Sequence, residues 1–541
     1  MPAAISSPRP AEPVPPPKAL TCAAILALVI GLPCAFLGYM AGDAVIHLIF
    51  AENSLRGDWL AFNPGEQSGG ETSFGYMLIV MGLWQVFSPE WTPYAMIALC
   101  YLAWLAMLAC GWKLLHDWYP RTFWPWLWLL ITGTMPGSAF NSVLGMENVL
   151  LAPVTMGLLW GAYRTNAIAE PLPRLTELTL AGGLGVLTWL RPESLFMAAG
   201  LLMWRCLIMA KRTGWLPSLL RSCCLGAIVV ALFAAMFIGF VWLSGLMPFS
   251  GGVARLNMSA SDGIVIGGVM PLHAKIALRF CAYFPLAMIF VLGVYRWASS
   301  GTATPVHRGV VGQAIVLVLL FSALYSTVLP TAHLARYTIF FWPLVTLVGV
   351  YGLAESWSAW QSQLSSLGAR TLLATLLAAL TVIYGYEFAI RYSMLRGQHR
   401  LADVRSAHEN RRPATDSLLR ELRCTGPFPV SVGFIEVQMR YFFDDRVIVR
   451  TMDGIVDNRF NHFVTRTGNG VVYDYTGYFR DKRLDYIAEY LDLNPTVDDW
   501  SPVALEAMPE GSVATRDGVC FERLPGRITR LTYPGGQIPP Y

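Results

Sequence analysis

Apolar runs of membrane-spanning length dominate the first 392 residues of the sequence. About 20 apolar residues in an α-helix cross a hydrocarbon core that is about 30 Å thick. With 55% hydrophobic and only 14% charged residues, we predict a polytopic α-helical membrane protein with about eleven transmembrane helices. The eleven runs lie near residues 20–40, 93–112, 122–135, 147–163, 177–190, 193–210, 222–246, 277–295, 309–329, 337–353 and 371–391.

The charged residues divide the chain into a membrane part and a globular part. Residues 1–392 hold 35 Asp, Glu, Lys and Arg, whereas the shorter segment 393–541 holds 39. We therefore expect a proline-rich disordered tail over 1–17, a transmembrane domain over 18–392 and an α/β domain over 393–541. Within this last domain, the patterns predict strands at 430–435 and 446–451 and helices at 417–423 and 484–493.

The distribution of Lys and Arg predicts the orientation of the chain, because cations concentrate on the cytoplasmic side of membrane proteins. With eleven spans and a cytoplasmic N-terminus, 13 Lys and Arg lie inside and 6 lie near the outer span ends. A twelfth span at 72–87 would give 7 inside and 12 outside. We therefore predict that 72–87 is a helix on the outer face and that the C-terminal domain is extracytoplasmic. Cys424 and Cys520 of that domain are expected to form a disulfide.

Several common classes of site are missing from the sequence. There is no GxxxxGK[ST] loop, and the glycine cluster at 182–185 lies inside an apolar run, so no nucleotide site is visible. His and Cys never take a metal-ligand spacing, so neither a metal nor another cofactor is indicated, and metal dependence stays open. No basic stripe with interleaved aromatic residues indicates a nucleic-acid partner. Any activated donor would have to arrive through the membrane.

The first outer loop, 42–91, carries a dense group of polar residues on the outer side. Asp43 stands at the mouth of the first helix, in partly apolar surroundings that suit a general base. Apolar residues of Ala44–Leu55 share one helical face, so we predict a surface-lying amphipathic helix there. The other ionisable residues of the loop include His47, Glu52, Arg56, Asp58, Glu66 and Glu71.

The predicted topology brings further ionisable residues to the same side. Glu147 opens one apolar run, and Arg191 and Glu193 separate two others. Ionisable groups at membrane depth usually face a cavity or one another, so Arg191 and Glu193 either line a site or form a local pair. Several cations opposite a carboxylate suit a lipid phosphate whose charge must be neutralised as it leaves. The cations of the outer segments include Arg255, His273, Lys275 and Arg336.

The first loop resembles the first-loop signature of polytopic bacterial glycosyltransferases of the GT-C superfamily, through the runs GDAVIHLIFAENSLRGDWLAFNPGE and GGETSFGY. The likeness is strongest to the mycobacterial cell-wall arabinofuranosyltransferases. Shorter matches follow in the family order over about residues 20–350, at Leu144–Glu147, Leu190–Glu193, Met247–Arg255 and Arg336–Tyr337. The resemblance implies a GT-C-like fold in the bacterial inner (plasma) membrane and a periplasmic C-terminal domain.

The resemblance also implies a reaction. A single sugar, arabinofuranose or another pentose or hexose, would pass with inversion from a polyprenyl phosphate to a hydroxyl of a cell-envelope glycan or glycolipid. Asp43 would be the general base, but the family's Asp-Asp is Gly42–Asp43 here, so Asp58 and Glu147 stay open as alternatives. The implied donor-phosphate ligands are Arg255, Arg336, Arg191, Lys275 and His273. The implied substrate-pocket residues are His47, Glu193 and Glu66.

Two other functions stay open for a chain that has membrane lipids as partners. A transporter or flippase of lipid-linked glycans should show inverted repeats and charged cavities on both sides of the membrane, whereas the polar residues here lie on one side. A ligase would transfer a whole glycan polymer and would differ in its acceptor.

Overall fold

The computed structural model describes the chain from residue 17 to residue 532 with gaps. The described ranges are 17–71, 73–165, 172–246, 284–299, 305–328, 341–363, 366–424, 428–434, 437–451, 464–467, 470–488, 509–516, 519–524 and 528–532. Helices make up most of the described chain before residue 424, and strands are the main elements after that residue.

The described residues of the membrane part form a succession of helices. Each of the eleven predicted spans overlaps one of them. They are α1 (Ala19–Gly31), α2 (Gly42–Leu55), α3 (Phe74–Trp118), α4 (Trp124–Gly133), α5 (Pro136–Ser142), α6 (Leu151–Arg164), α7 (Arg174–Leu190), α8 (Ser194–Thr213), α9 (Trp215–Ser244), α10 (Phe284–Ser299), α11 (Pro305–Val328), α12 (Trp342–Gln363) and α13 (Ser366–Met394).

Several of these helices are long and apolar enough to cross a membrane. Within the described ranges they are Ala19–Phe36, which extends α1, Phe74–Trp118 (α3), Ser194–Thr213 (α8), Trp215–Ser244 (α9) and Arg370–Gly397, which begins in α13 and extends past its end. The pair Pro136–Ser142 and Glu147–Arg164, bent by 107°, would be a sixth span if it crosses as one unit. The chain therefore has the make-up of a polytopic membrane protein, and the full count of eleven stays a prediction.

The segment predicted to lie on the outer face is the first part of α3. Ser88 interrupts α3 with a φ of 62° and a ψ of 164°, a backbone conformation that is uncommon for a residue other than glycine. Pro89 follows at once and cannot donate the helical hydrogen bond. The part before Ser88 and the part after it are thus two helical pieces at a sharp break. The placement of the first piece on the membrane surface stays a prediction.

Glycines allow α10 and α12 to approach closely. A Cβ atom on Gly293 of α10 would collide with the backbone oxygen of Val348 on α12. A Cβ atom on Gly352 of α12 would meet the backbone of Gly293, and one on Gly349 would meet the side chain of Ile289. Small residues serve this purpose in membrane helices, where backbone approach replaces the hydrophobic effect as a source of stability.

The C-terminal part combines helices with a six-stranded mixed sheet. Helix α14 (Leu401–Glu421) leads into the sheet. The strands of the sheet are β5 (Val430–Phe434), β6 (Val447–Thr451), β9 (Tyr486–Ile487), β10 (Val513–Arg516), β11 (Val519–Leu524) and β12 (Ile528–Thr532). Their order is β10-β11-β12-β9-β5-β6. Strand β5 is parallel to both β6 and β9, and the other pairings are antiparallel.

The remaining described elements are short. Strand β1 (Tyr39–Met40) pairs with β4 (His399–Arg400), so the end of the first membrane segment meets the start of the C-terminal part. A hairpin of β2 (Ala61–Asn63) and β3 (Glu66–Gln67) follows α2. Strands β7 (Val464–Thr467) and β8 (Gly470–Tyr473) form a second hairpin, and α15 (Tyr475–Lys482) follows it.

The structure confirms the strand prediction and corrects one helix. The strands predicted at 430–435 and 446–451 are β5 and β6, and the helix predicted at 417–423 is the end of α14. The helix predicted at 484–493 is wrong at its start, because Tyr486–Ile487 form β9 between β5 and β12, and its part from 489 to 493 lies outside the described residues. Pairing with strands distant in the sequence overrides the local pattern here.

The predicted disulfide is also wrong, since Cys424 and Cys520 are both free thiols. Cys424 contacts Tyr486 on β9, whereas Cys520 lies on β11. Strand β12 separates these two strands, which places them two steps of about 4.8 Å apart. A disulfide requires Cα atoms about 4.4–6.8 Å apart, so the intervening strand keeps the two thiols from pairing.

Candidate functional site

Helix α2 is at the centre of the candidate site and is buried on every side. The predicted helix is confirmed, but the prediction that it lies on the surface is wrong, since every residue from Ala44 to Ser54 is buried. Its polar residues contact partners up to 359 residues away in the sequence. The local amphipathic pattern carries no information about these partners and therefore suggested a solvent-facing side.

The ring of His47 is held between two buried carboxylates. His47 Nδ1 lies 2.9 Å from an oxygen of Glu71, and His47 Nε2 lies 3.2 Å from an oxygen of Glu147. The other oxygen of Glu71 accepts a hydrogen bond of 2.7 Å from the backbone N–H of Ser73. Tyr76 packs edge-on against the imidazole, with its hydroxyl 2.7 Å from the backbone oxygen of Gly145. The ring orientation of His47 is thus determined from three sides.

The network continues from Glu147 to the start of α8. Arg191, with only 1% of its surface exposed, forms an ion pair with the second oxygen of Glu147. Its Nη2 and Nε lie 2.6 and 3.2 Å from the two oxygens of Glu193. The structure therefore contains the local Arg191–Glu193 pair and extends it to a chain that runs Glu71–His47–Glu147–Arg191–Glu193.

Electrostatics favour the charged form of His47. Burial by itself would lower the pKa of the imidazole, because an apolar environment disfavours the cation. The carboxylates of Glu71 and Glu147 outweigh this effect and raise the pKa of His47 to about 10. His47 is then an imidazolium that donates from both ring nitrogens, and the network alternates carboxylates with cations.

Asp43 lies one helical turn before His47, on the same face of α2. Its side chain is half-buried, whereas His47 and Glu147 are fully enclosed. The N–H of Ala41, just before α2, donates a 3.1 Å hydrogen bond to the backbone oxygen of Leu144, so the start of α2 adjoins the loop that leads to Glu147. Of the predicted base candidates near the network, Asp43 is thus the more accessible one.

The structure places Asp58 and Glu66 away from this network, in the turn and hairpin after α2. Asp58 Oδ2 accepts a 3.4 Å hydrogen bond from the N–H of Gly65 and so belongs to the turn. Glu66 forms ion pairs with Arg450 of β6 and with Lys482 of α15, the latter at 3.3 Å. Burial would raise the pKa of Glu66, but these cations hold it at about 2.

The sequence does not reveal two of the contacts of α2, between His47 and Glu71 and between Glu52 and Arg411. In the sequence, Glu71 is one loop carboxylate among several, whereas in the structure it lies 24 residues from His47 along the chain and fixes the His47 ring. Glu52 is bound bidentately by Arg411 of α14, with both N–O distances 2.5 Å. Glu52 also pairs with Arg56 one turn later, at 2.6 Å, so the local sequence accounts for one cation partner and gives no sign of the second, Arg411.

Four of the predicted phosphate ligands, Arg255, His273, Lys275 and Arg336, lie outside the described residues. In the part of the chain that the structure describes, no group of three His, Cys, Asp or Glu side chains is arranged to hold a metal. A separate apolar cavity of about 560 Å³ lies among α1, α3, α4 and α6, with Lys113 as its charged lining residue. It shares no residue with the network around His47.

Comparison with known proteins identifies a similar fold. No protein-family model matches the sequence, and no curated protein matches it either. Among solved structures, the chain is similar to the crystal structure of ArnT from Cupriavidus metallidurans bound to undecaprenyl phosphate. The two share 12% sequence identity and a TM-score of 0.50, over 96% of this chain and 99% of that one. At this identity the likeness shows a shared fold over nearly the whole chain.

Proposed function

We propose that this protein is a membrane glycosyltransferase that takes a single sugar from a polyprenyl phosphate and transfers it to a hydroxyl of a cell-envelope glycan. The observation that carries the proposal is the fold shared over nearly the whole chain with a protein crystallised with undecaprenyl phosphate. The GT-C resemblance of the first loop supports the same donor class independently. We further propose that the transferred sugar is arabinofuranose or another pentose or hexose.

The reaction requires one base and a site for the leaving phosphate. Asp43 takes the proton of the acceptor hydroxyl while the hydroxyl oxygen bonds to the anomeric carbon. The bond from that carbon to the phosphate oxygen breaks, and polyprenyl phosphate leaves. A single displacement of this kind inverts the anomeric centre. We assign binding of the leaving phosphate to Arg255 and Arg336, with Lys275 and His273 as further ligands.

The geometry favours Asp43 over Glu147 and Asp58 as the base. Glu147 is bound by both His47 and Arg191, and an ionised carboxylate between two cations is a poor proton acceptor. Asp58 lies in the turn after α2. Arg191 is already bound to two carboxylates, so we assign it, with His47, Glu147 and Glu193, to holding the site in place and not to direct contact with phosphate.

We also propose which side of the membrane each part of the chain occupies. The catalytic domain comprises residues 18–392 in the inner membrane, and residues 393–541 form a domain on the periplasmic side, with the tail 1–17 in the cytoplasm. Asp43 and the donor phosphate are then on the outer side, where envelope glycans are assembled.

The test is turnover of defined donors by the purified protein. The protein in detergent is incubated with a small panel of polyprenyl-phosphate sugars and a cell-envelope glycan fraction, and released polyprenyl phosphate is measured. We expect release that depends on both donor and acceptor, with transfer of one sugar per donor. Movement of intact donor across liposome membranes without release would instead indicate a flippase, and transfer of a polymer would indicate a ligase.

A further inference from the structure

The C-terminal domain contacts the helix that carries the proposed base. Arg411 of α14 binds both oxygens of Glu52 near the end of α2. The remaining guanidinium nitrogen, Nε, donates a 2.8 Å hydrogen bond to the backbone oxygen of Tyr441, and the guanidinium lies 4.9 Å from the centre of the Tyr441 ring. Both Arg411 and Glu52 are buried. A planar fork on a buried carboxylate fixes both distance and orientation.

The polar contacts at His47 and those at Glu52 hold α2 from different sides. Successive residues of an α-helix are rotated by about 100°, so Asp43 and His47 share a face, and Glu52 points to the side opposite Asp43. The membrane part holds His47 through Glu71 and Glu147, whereas the C-terminal part holds Glu52 through Arg411. Helix α2 is therefore clamped between the two parts of the chain.

The hairpin after α2 adds a second connection to the same domain. Asn63 donates a 3.0 Å hydrogen bond to the backbone oxygen of Val449 and accepts one of 3.1 Å from its N–H. This side chain thereby takes the place of a neighbouring strand at the edge of β6, where backbone groups would otherwise be unpaired. Asn53 of α2 ties the hairpin to the helix through the backbone oxygens of Ala61 and Phe62, at 2.9 and 3.0 Å.

We infer that Arg411 is a positioning residue for the proposed transferase, which places Asp43 by fixing α2 through Glu52. The inference rests on the proposed function. Glu52 is nine positions after Asp43, a rise of about 13.5 Å along the helix, so Arg411 is too distant to touch the reacting atoms. Its effect is on geometry, and a displacement of about 1 Å at a reacting group can cost about 10²-fold in rate.

The test compares Arg411→Gln with Arg446→Gln in the full-length protein. Arg446 also binds carboxylates, Asp416 and Asp444, in more exposed ion pairs that lie within the C-terminal part, so this variant is the control for an ion pair that does not reach α2. Three quantities are measured: hydrogen exchange of the α2 amides, kcat, and KM for the donor. For Arg411→Gln we expect α2 exchange faster by about tenfold or more and kcat lower by about 10²-fold. KM for the donor should change by less than about threefold, and Arg411→Lys should recover part of kcat.

The outcomes test the positioning role of Arg411 and the proposed transferase activity separately. Unchanged α2 exchange and unchanged kcat in Arg411→Gln would overturn the inference, as would equal effects in Arg446→Gln. If the wild-type protein releases no polyprenyl phosphate, the proposed function fails, whereas the exchange measurement still tests the clamp. If Arg411→Gln does not fold, Asn63→Ala removes the second connection more gently and should give the same pattern with smaller changes.

Discussion

Arg191 illustrates how a single residue stabilises the candidate site. Its guanidinium is enclosed and bound to Glu147 and Glu193, and Glu147 in turn fixes His47. Removing one partner of a buried ion pair leaves an uncompensated charge, which costs about 3–5 kcal/mol. An exposed ion pair contributes much less, about 0–1 kcal/mol.

We predict that Arg191→Ala lowers the free energy of unfolding by about 3–5 kcal/mol, because Glu147 loses its strongest cation. Glu522→Gln is the control, since its partner Arg530 and Glu522 itself are each about a third exposed, and we expect at most about 1 kcal/mol. Thermal unfolding in detergent measures both. Equal losses in the two variants would contradict the account of the network.

At the scale of single residues, the sequence indicates candidate side chains but not the contacts between them. His47, Glu147, Arg191 and Glu193 were all candidates, and the structure brings them into one chain of contacts. Their partnership depends on side chains 44 and 100 residues apart, a separation at which no local spacing carries information. Residues at 247–283 and 329–340 lie outside the described part, so the roles of Arg255 and Arg336 stay proposals.

Among the elements, the hairpin of β2 and β3 connects α2 to the C-terminal sheet. Glu66 contributes through Arg450 and Lys482, and these cations keep its pKa at about 2. A carboxylate with a lowered pKa in the folded state stabilises that state above its unfolded pKa, near 4.5. The contribution is lost as the pH falls from about 4.5 through about 2.

We therefore predict that contact between the hairpin and β6 weakens below about pH 4.5. Hydrogen exchange of the β6 amides, corrected for the intrinsic pH dependence, should accelerate in the wild type over this range. Glu66→Gln should show fast exchange already at pH 7 and little further change. Glu510→Gln, at an exposed glutamate of the C-terminal part, should behave like the wild type. A Glu66→Gln profile identical to the wild type would rule out this role.

The contact between α10 and α12 leads to a prediction about stability. Gly293→Ala should destabilise the protein by about 1–3 kcal/mol, because the new Cβ atom has to push the α12 backbone away at Val348. Gly239→Ala on α9 is the matched control, since open space surrounds that position, and alanine favours a helix more than glycine does. Thermal unfolding should rank Gly293→Ala below the wild type and Gly239→Ala equal to or above it. The reverse order would show that the two helices do not rely on close backbone approach.

The elements themselves were largely predictable, because apolar length identifies membrane helices and alternation identifies β5 and β6. The failures occurred where distant segments meet. The helix α2 was expected on the surface, but the C-terminal part covers it through Arg411. The start of the predicted helix at 484–493 is a strand because β5 and β12 flank it. The local sequence carries no information about the contact of α2 with Arg411 or about the strands beside β9.

At the scale of the whole molecule, the predicted orientation rests on the asymmetry of Lys and Arg, which eleven spans would divide into 13 inside and 6 outside. A reporter fused after residue 392 should therefore be active only outside the cytosol. Fusion after residue 213, at the end of α8 beside Lys211 and Arg212, should give the opposite result and is the control. Cytosolic activity of the first fusion would make 72–87 a span and put Asp43 and the C-terminal domain on different sides of the membrane.

The central claim is that Asp43 is the base of a lipid-linked sugar transfer, and turnover of Asp43→Asn tests it most directly. Asparagine keeps the size of the side chain but cannot accept the proton, so kcat should fall by about 10²–10⁴-fold while donor affinity changes little. Release of polyprenyl phosphate from the preferred donor measures kcat, and donor binding is measured separately. Near-normal turnover by Asp43→Asn, together with loss of turnover in Asp58→Asn or Glu147→Gln, would contradict the assignment.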